Sequence, residues 1–156
     1  MRAALGIAAA VVALAACRDG GQRRHDPLPP GEAEQLLAER VWLDRLPRSE
    51  RERFHLALFI PDGFAYTQHG TVWKGEHEGL IFDVDGDRLE LFRPDSGERV
   101  TTRFRVERIE HRHADVKLIL DQNPVGPREY LGFGGDGDGA GVTPANLTPW
   151  LRARMQ

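Results

Sequence analysis

The stretch Val100-Thr101-Thr102-Arg103-Phe104-Arg105-Val106-Glu107 alternates residue by residue. In an extended chain, successive side chains point to opposite faces. Val100, Thr102, Phe104 and Val106 therefore share one face, and Thr101, Arg103, Arg105 and Glu107 share the other. One side is dry and the other wet, which an antiparallel sheet allows and a parallel sheet, buried on both faces, does not.

The same period of two extends outward from this stretch. Phe54, Leu56, Leu58 and Ile60 alternate with His55, Ala57 and Phe59, and Pro61-Asp62-Gly63 then reads as a hairpin before Phe64 and Tyr66. Gly70 to Trp73 reads as the start of a further strand. Leu80, Phe82 and Val84 alternate into Asp85-Gly86, a pair suited to a type I′ turn with positive φ at both central positions. Leu89 and Leu91 follow, and Pro94-Asp-Ser-Gly97 makes the next turn. Beyond a polar turn at Glu110-His-Arg-His113, Val116, Leu118 and Leu120 form one strand and Tyr130 to Phe133 a last one. No helical segment has the size of a parallel crossover. The expected fold is mainly β. It is an antiparallel up-and-down meander of about seven or eight strands, closing into a small barrel so that no edge is exposed. A short helix is expected before the barrel at Glu32–Arg40. Another is expected after it, with Thr148 as N-cap and Pro149 in the first turn.

Composition bounds the function. The chain has 156 residues, 40% hydrophobic and 29% charged, an ordinary globular balance. Its formal net charge of -3 and pI of about 6.1 argue against a nucleic-acid partner. One cysteine excludes an internal disulfide and a cysteine-based zinc site.

That cysteine carries a different message. Arg2 is followed by an uncharged apolar run from Ala3 to Leu14, too short to span a bilayer as a helix but suited to the core of a signal peptide. Leu14-Ala15-Ala16-Cys17 resembles the lipobox of bacterial lipoproteins. The resemblance implies cleavage before Cys17 and diacylglycerol on its thiol. A cysteine carrying two or three acyl chains anchors a protein stably to a membrane. Arg18, standing where Asp favours inner-membrane retention in enterobacteria, implies the outer membrane, with the protein facing the periplasm. The chain is thus expected to divide into a signal peptide (1–16), an acylated cysteine and Gly/Pro-rich tether (17–31), a barrel (32–133), and a Gly-rich loop with a short helix (134–156).

A second resemblance lies in the barrel. Phe59-Ile-Pro-Asp62-Gly63-Phe64-Ala-Tyr66, then Gly70-Thr-Val-Trp73, then Leu80-Ile-Phe82 and Asp85-Gly-Asp-Arg-Leu-Glu-Leu91 are similar to bacterial lipocalin-like domains. There, a strand ending in a D-G turn precedes a G-x-x-W strand and a g-d-x-L-x-L hairpin. Here Trp42 is preceded by Glu39-Arg40-Val41, without the glycine usual before a lipocalin's first tryptophan.

The candidate chemistry is sparse. Asp83-Val-Asp85-Gly86-Asp87 has its glycine too early for a calcium-binding helical loop, and Gly134-Gly-Asp-Gly-Asp-Gly139 is a single copy of a repeat that works by stacking. No nucleophile elbow or HExxH helix is present, so no catalytic residue is assigned and no cofactor is expected. Trp42, Phe54, Tyr66, Trp73, Phe82, Phe104 and Tyr130 are the candidates to fill the barrel or line an interior ligand site. The expected role is a non-enzymatic binding or structural module, its partner an apolar small molecule or an envelope protein. The alternatives are a metal site on His111, His113 and a further histidine, or an enzyme acting on envelope glycans or lipids.

Overall fold

A computed structural model describes residues 26–134 and 142–155. The signal segment, Cys17 and the tether up to residue 25 lie outside the described residues, as does the Gly-rich run 135–141.

The strands are β1 (Val41–Leu43), β2 (Phe54–Ile60), β3 (Phe64–Gly70), β4 (Gly75–Asp85), β5 (Arg88–Arg93), β6 (Glu98–Arg108), β7 (Val116–Leu120) and β8 (Glu129–Phe133). Each pairs antiparallel with the next in sequence, and β8 returns to β1 through Val41↔Phe133, so the sheet is a closed up-and-down barrel. Helix α1 (Pro30–Glu39) precedes the barrel and α2 (Leu147–Arg154) follows it.

Eight strands leave an interior just wide enough for side chains. Trp42, Phe59, Leu80, Phe104, Leu118 and Tyr130 belong to the cluster that fills it, together with Ala33 and Leu37 of α1, which stops one end. The Trp42 indole donates to the Leu37 carbonyl at 2.9 Å, fixing the C-terminal turn of α1 to the barrel floor. Gly132 makes room for this ring: a Cβ there would lie 2.7 Å from Trp42 Cζ3 and 2.6 Å from Val116 Cγ2. The residual interior void is about 10 Å³, at most the space of one water.

A second cluster lies outside the wall. Val41, Leu43, Phe54, Leu56, Leu58 and Phe133 are covered by Leu147 and Leu151 of α2, and Trp150 meets Phe133 edge to face at 6.4 Å. This layer corrects part of the expected lining. Phe54 and Tyr66 belong to the outer cluster, and Trp73 sits in the β3–β4 connection with 65% of its surface exposed. The reason is that β2 is buried on both sides. Its more apolar face, Phe54-Leu56-Leu58, lies under α2, while His55, Ala57 and Phe59 point inward. Only Trp42, Phe82, Phe104 and Tyr130 of the seven aromatics belong to the interior.

Three local expectations also change. Residues 71–74 form a connection, because Gly70 ends β3 and Gly75 opens β4 directly opposite it. Asp85 pairs with Arg88, so the central turn residues are Gly86 and Asp87, and only Gly86 has positive φ (64°). Glycine at the first central position is the type II′ arrangement. Helix α2 begins at Leu147 with Asn146 as its N-cap, so Thr148 already lies inside it.

Candidate functional site

The end opposite α1 is closed differently. The β7–β8 connection folds back over it, with Val125 packed on the interior cluster. Asn123 shapes that connection. Its Nδ2 donates to the Pro127 carbonyl (2.6 Å) and to Tyr130 Oη (2.9 Å), and its Oδ1 accepts from Val125 N (3.1 Å). Burial pushes the Tyr130 hydroxyl pKa up, so it stays neutral as it accepts the Asn123 bond. Between this connection and β3, β4 and β5 lies an open cavity of about 490 Å³, the barrel mouth.

The mouth is polar where the interior is apolar. Thr67, His69, Glu76, Glu78, Arg93 and Asp95 line it, with Pro124 and Val125 on the side of the β7–β8 connection. Arg93 is held by two carboxylates: Nε and Nη2 donate to the two oxygens of Glu78, the longer bond at 3.3 Å, and Nη1 donates to Glu98 at 2.8 Å. A two-pronged guanidinium–carboxylate pair fixes orientation as well as charge.

Two histidines meet beside this cavity. His55 and His69 are register partners across β2–β3, and their rings stack with centroids 3.9 Å apart and planes 9° from parallel. Burial, and then the neighbouring His69, lower the pKa of His55. The backbone amide of His55 donates to Asp44 Oδ1 at 2.8 Å, which sets the start of β2 against the end of β1.

The histidines expected to bind metal lie elsewhere. His111 and His113 are exposed in the β6–β7 connection, with centroids 6.2 Å apart, and His113 N donates to His111 Nδ1. No third ligand joins them: among the described residues, no group of three or more His, Cys, Asp or Glu is placed to hold a metal ion. His77, which also borders the mouth, pairs with Tyr66, Nδ1 to Oη at 2.5 Å.

The His55–His69 pair was within reach of sequence reasoning, since counting back from the Pro61-Asp62-Gly63 turn sets the two opposite one another. The Glu78–Arg93–Glu98 group was not, because it depends on where β4 begins, and reading residues 70–73 as strand hid that start.

Chemically, the mouth offers the carboxylate oxygens of Glu76 and Asp95 and an imidazole to a small polar or cationic group, beside a small apolar surface at Pro124 and Val125. No family model matches this chain, and neither a curated protein nor a solved structure matches it.

Proposed function

We propose that this protein is a lipid-anchored component of the cell envelope, processed before Cys17, whose barrel is a non-catalytic binding module. It sits on the outer membrane and faces the periplasm. Its plugged end turns toward the lipid, and its mouth turns away to meet a small polar ligand or an envelope protein. The observation that supports this orientation is where the described chain enters the barrel. Leu28 N donates to the Val106 carbonyl at 2.8 Å and Pro27 bridges to Glu107, on the α1 side. Pro27 lies ten residues beyond Cys17. Fully extended, that stretch spans at most about 33–36 Å. The packed interior supports a surface site over an enclosed one, since an apolar molecule has no enclosed space to occupy.

Metabolic labelling with an alkyne fatty acid, followed by membrane fractionation, tests the anchor. The wild-type chain should carry label and sediment with the membrane, and Cys17→Ser should do neither. Equal labelling of Cys17→Ser, or an unlabelled soluble wild type, would overturn the reading.

A further inference from the structure

The plugged end carries a feature that the mouth does not explain. Between α1 and the β2–β3 turn runs a groove of about 460 Å³. Leu37, Phe82 and Val84 give it an apolar floor, and Glu34, Asp62 and Asp83 stand around it with no lysine, arginine or histidine among its lining residues. Several other carboxylates on the barrel sit beside arginines, as Glu90 does with Arg99, Asp87 with Arg103 and Glu107 with Arg105. Among the described residues, Glu34, Asp62 and Asp83 form no ion pair.

The backbone singles out one of these acids. Asp62 has φ = 88°, and it is the one non-glycine residue with positive φ among the described residues. That conformation carries a steric cost that glycine would avoid. An aspartate held there keeps a carboxylate at the edge of the groove, the kind of local strain that collects at binding surfaces.

The groove adjoins an exposed apolar row. On the outer wall, Ile60, Phe64, Ile81 and Phe92 are successive register partners across β2, β3, β4 and β5. Phe64 is 43% exposed and Ile81 50%. Packing accounts for part of Phe64, whose ring lies over Gly79, where a Cβ would come within 3.1 Å of Cζ. Arg99 covers Phe92 at 4.4 Å and Ile60 is half-buried, so Phe64 and Ile81 are the open part of the row. Gly63 and Phe82, which line the groove, are the chain neighbours of Phe64 and Ile81, so the exposed pair begins at the groove's rim.

We propose that this surface docks a cationic, amphipathic peptide segment of a partner protein. Apolar side chains of the segment would lie on Phe64 and Ile81 and reach toward Phe82, while its lysines or arginines meet Glu34, Asp62 and Asp83. Charge complementarity selects this occupant. An anionic lipid surface would be repelled by the three acids, and a second copy of the chain would set them against themselves.

The test is an NMR titration of the chain from residue 17 onward, carrying Cys17→Ser. The probes are a short amphipathic Lys/Leu peptide and its counterpart with Glu at every Lys. The Lys/Leu peptide should shift the amides of residues 34–38, 61–64 and 81–83. Asp62→Asn with Asp83→Asn should weaken its binding by about tenfold, a difference of about 1.4 kcal/mol. Phe64→Ser with Ile81→Ser should do the same, with thermal unfolding run on each variant to show that it folds. Asp121→Asn with Glu129→Gln removes the same charge elsewhere on the barrel and should leave affinity within about twofold. The proposal fails if that control weakens binding equally, if the Glu/Leu peptide binds as well, or if the shifts fall at the mouth. It also fails if anionic phospholipid vesicles move the same amides more strongly than the peptide does.

Discussion

The two ends of the barrel are closed by opposite means. At one end, a helix inserts Ala33 and Leu37 into the interior cluster, and the Trp42 indole locks it by a single bond to a backbone carbonyl. At the other, a connection held by Asn123 and Tyr130 lies over a rim of stacked histidines and a guanidinium between two carboxylates. Apolar closure is insensitive to pH and salt, whereas polar closure titrates and is screened. The difference predicts a plugged end that carries stability and a mouth that carries responsiveness.

The largest effect should come from the plug. Trp42 is fully buried and donates its indole N–H, so Trp42→Ala removes both a large interior volume and the anchor of α1. A loss of about 3–5 kcal/mol in urea unfolding is expected. Trp73, in the β3–β4 connection at the other end, is the control. Its ring stacks with Arg152 at 4.0 Å and its indole donates to Glu50 at 2.7 Å, but it is largely exposed, so Trp73→Ala should cost under about 1 kcal/mol. Equal losses for the two tryptophans would erase the distinction between the ends.

Leu37→Ala sharpens the same contrast. The side chain is 1% exposed in the interior cluster, and its removal should cost about 2–5 kcal/mol. Because α1 has no side-chain N-cap hydrogen bond and Leu37 is one of only two buried residues along it, hydrogen exchange of the α1 amides should accelerate before that of β6 or β7. Uniform acceleration across the barrel would mean that α1 opens only with the whole domain.

The ease of reading the sequence followed how many faces each strand buries. In β6, Thr102, Phe104 and Val106 are buried and Thr101, Arg103 and Arg105 exposed, so alternation alone set both strand and direction. β2 is covered inside by the core and outside by α2, and its alternation named two faces without saying which one looks inward. The plug was visible only as a short helix, because Ala33 and Leu37 are too few to reveal what they enter. The mouth was least legible, because its charged groups come from β4, β5 and β6 and meet only through register.

A smaller effect, of the opposite sign, belongs to the β2–β3 turn at the plugged end. Asp62→Gly relieves a left-handed conformation worth about 1–2 kcal/mol and adds back about 0.5–1 kcal/mol of chain freedom. The net gain should lie between about 0 and 1.5 kcal/mol, seen as a modest rise in Tm. Destabilisation would mean that the Asp62 carboxylate contributes to the turn itself.

The smallest effect separates the ends by pH. The pKa of His55 in the folded state lies below its ordinary value of 6.5, from burial and from the ring of His69 against it. The unfolded chain therefore takes up a proton first as pH falls, and stability drops with it. The contribution is intact above about pH 7 and is lost as the pH passes down through 6.5 toward the lower folded value. Asp44, which faces the same imidazole, works against this shift, while Arg45 and Arg53 add to it, so the drop is modest. His55→Gln cannot take the proton, and its Tm should fall less than that of the wild type between pH 7 and pH 5. Leu37→Ala, at the plugged end, should keep the wild-type pH dependence around a lower Tm. If His55→Gln and the wild type trace parallel curves, the stacked pair is not what makes the mouth sensitive to protons.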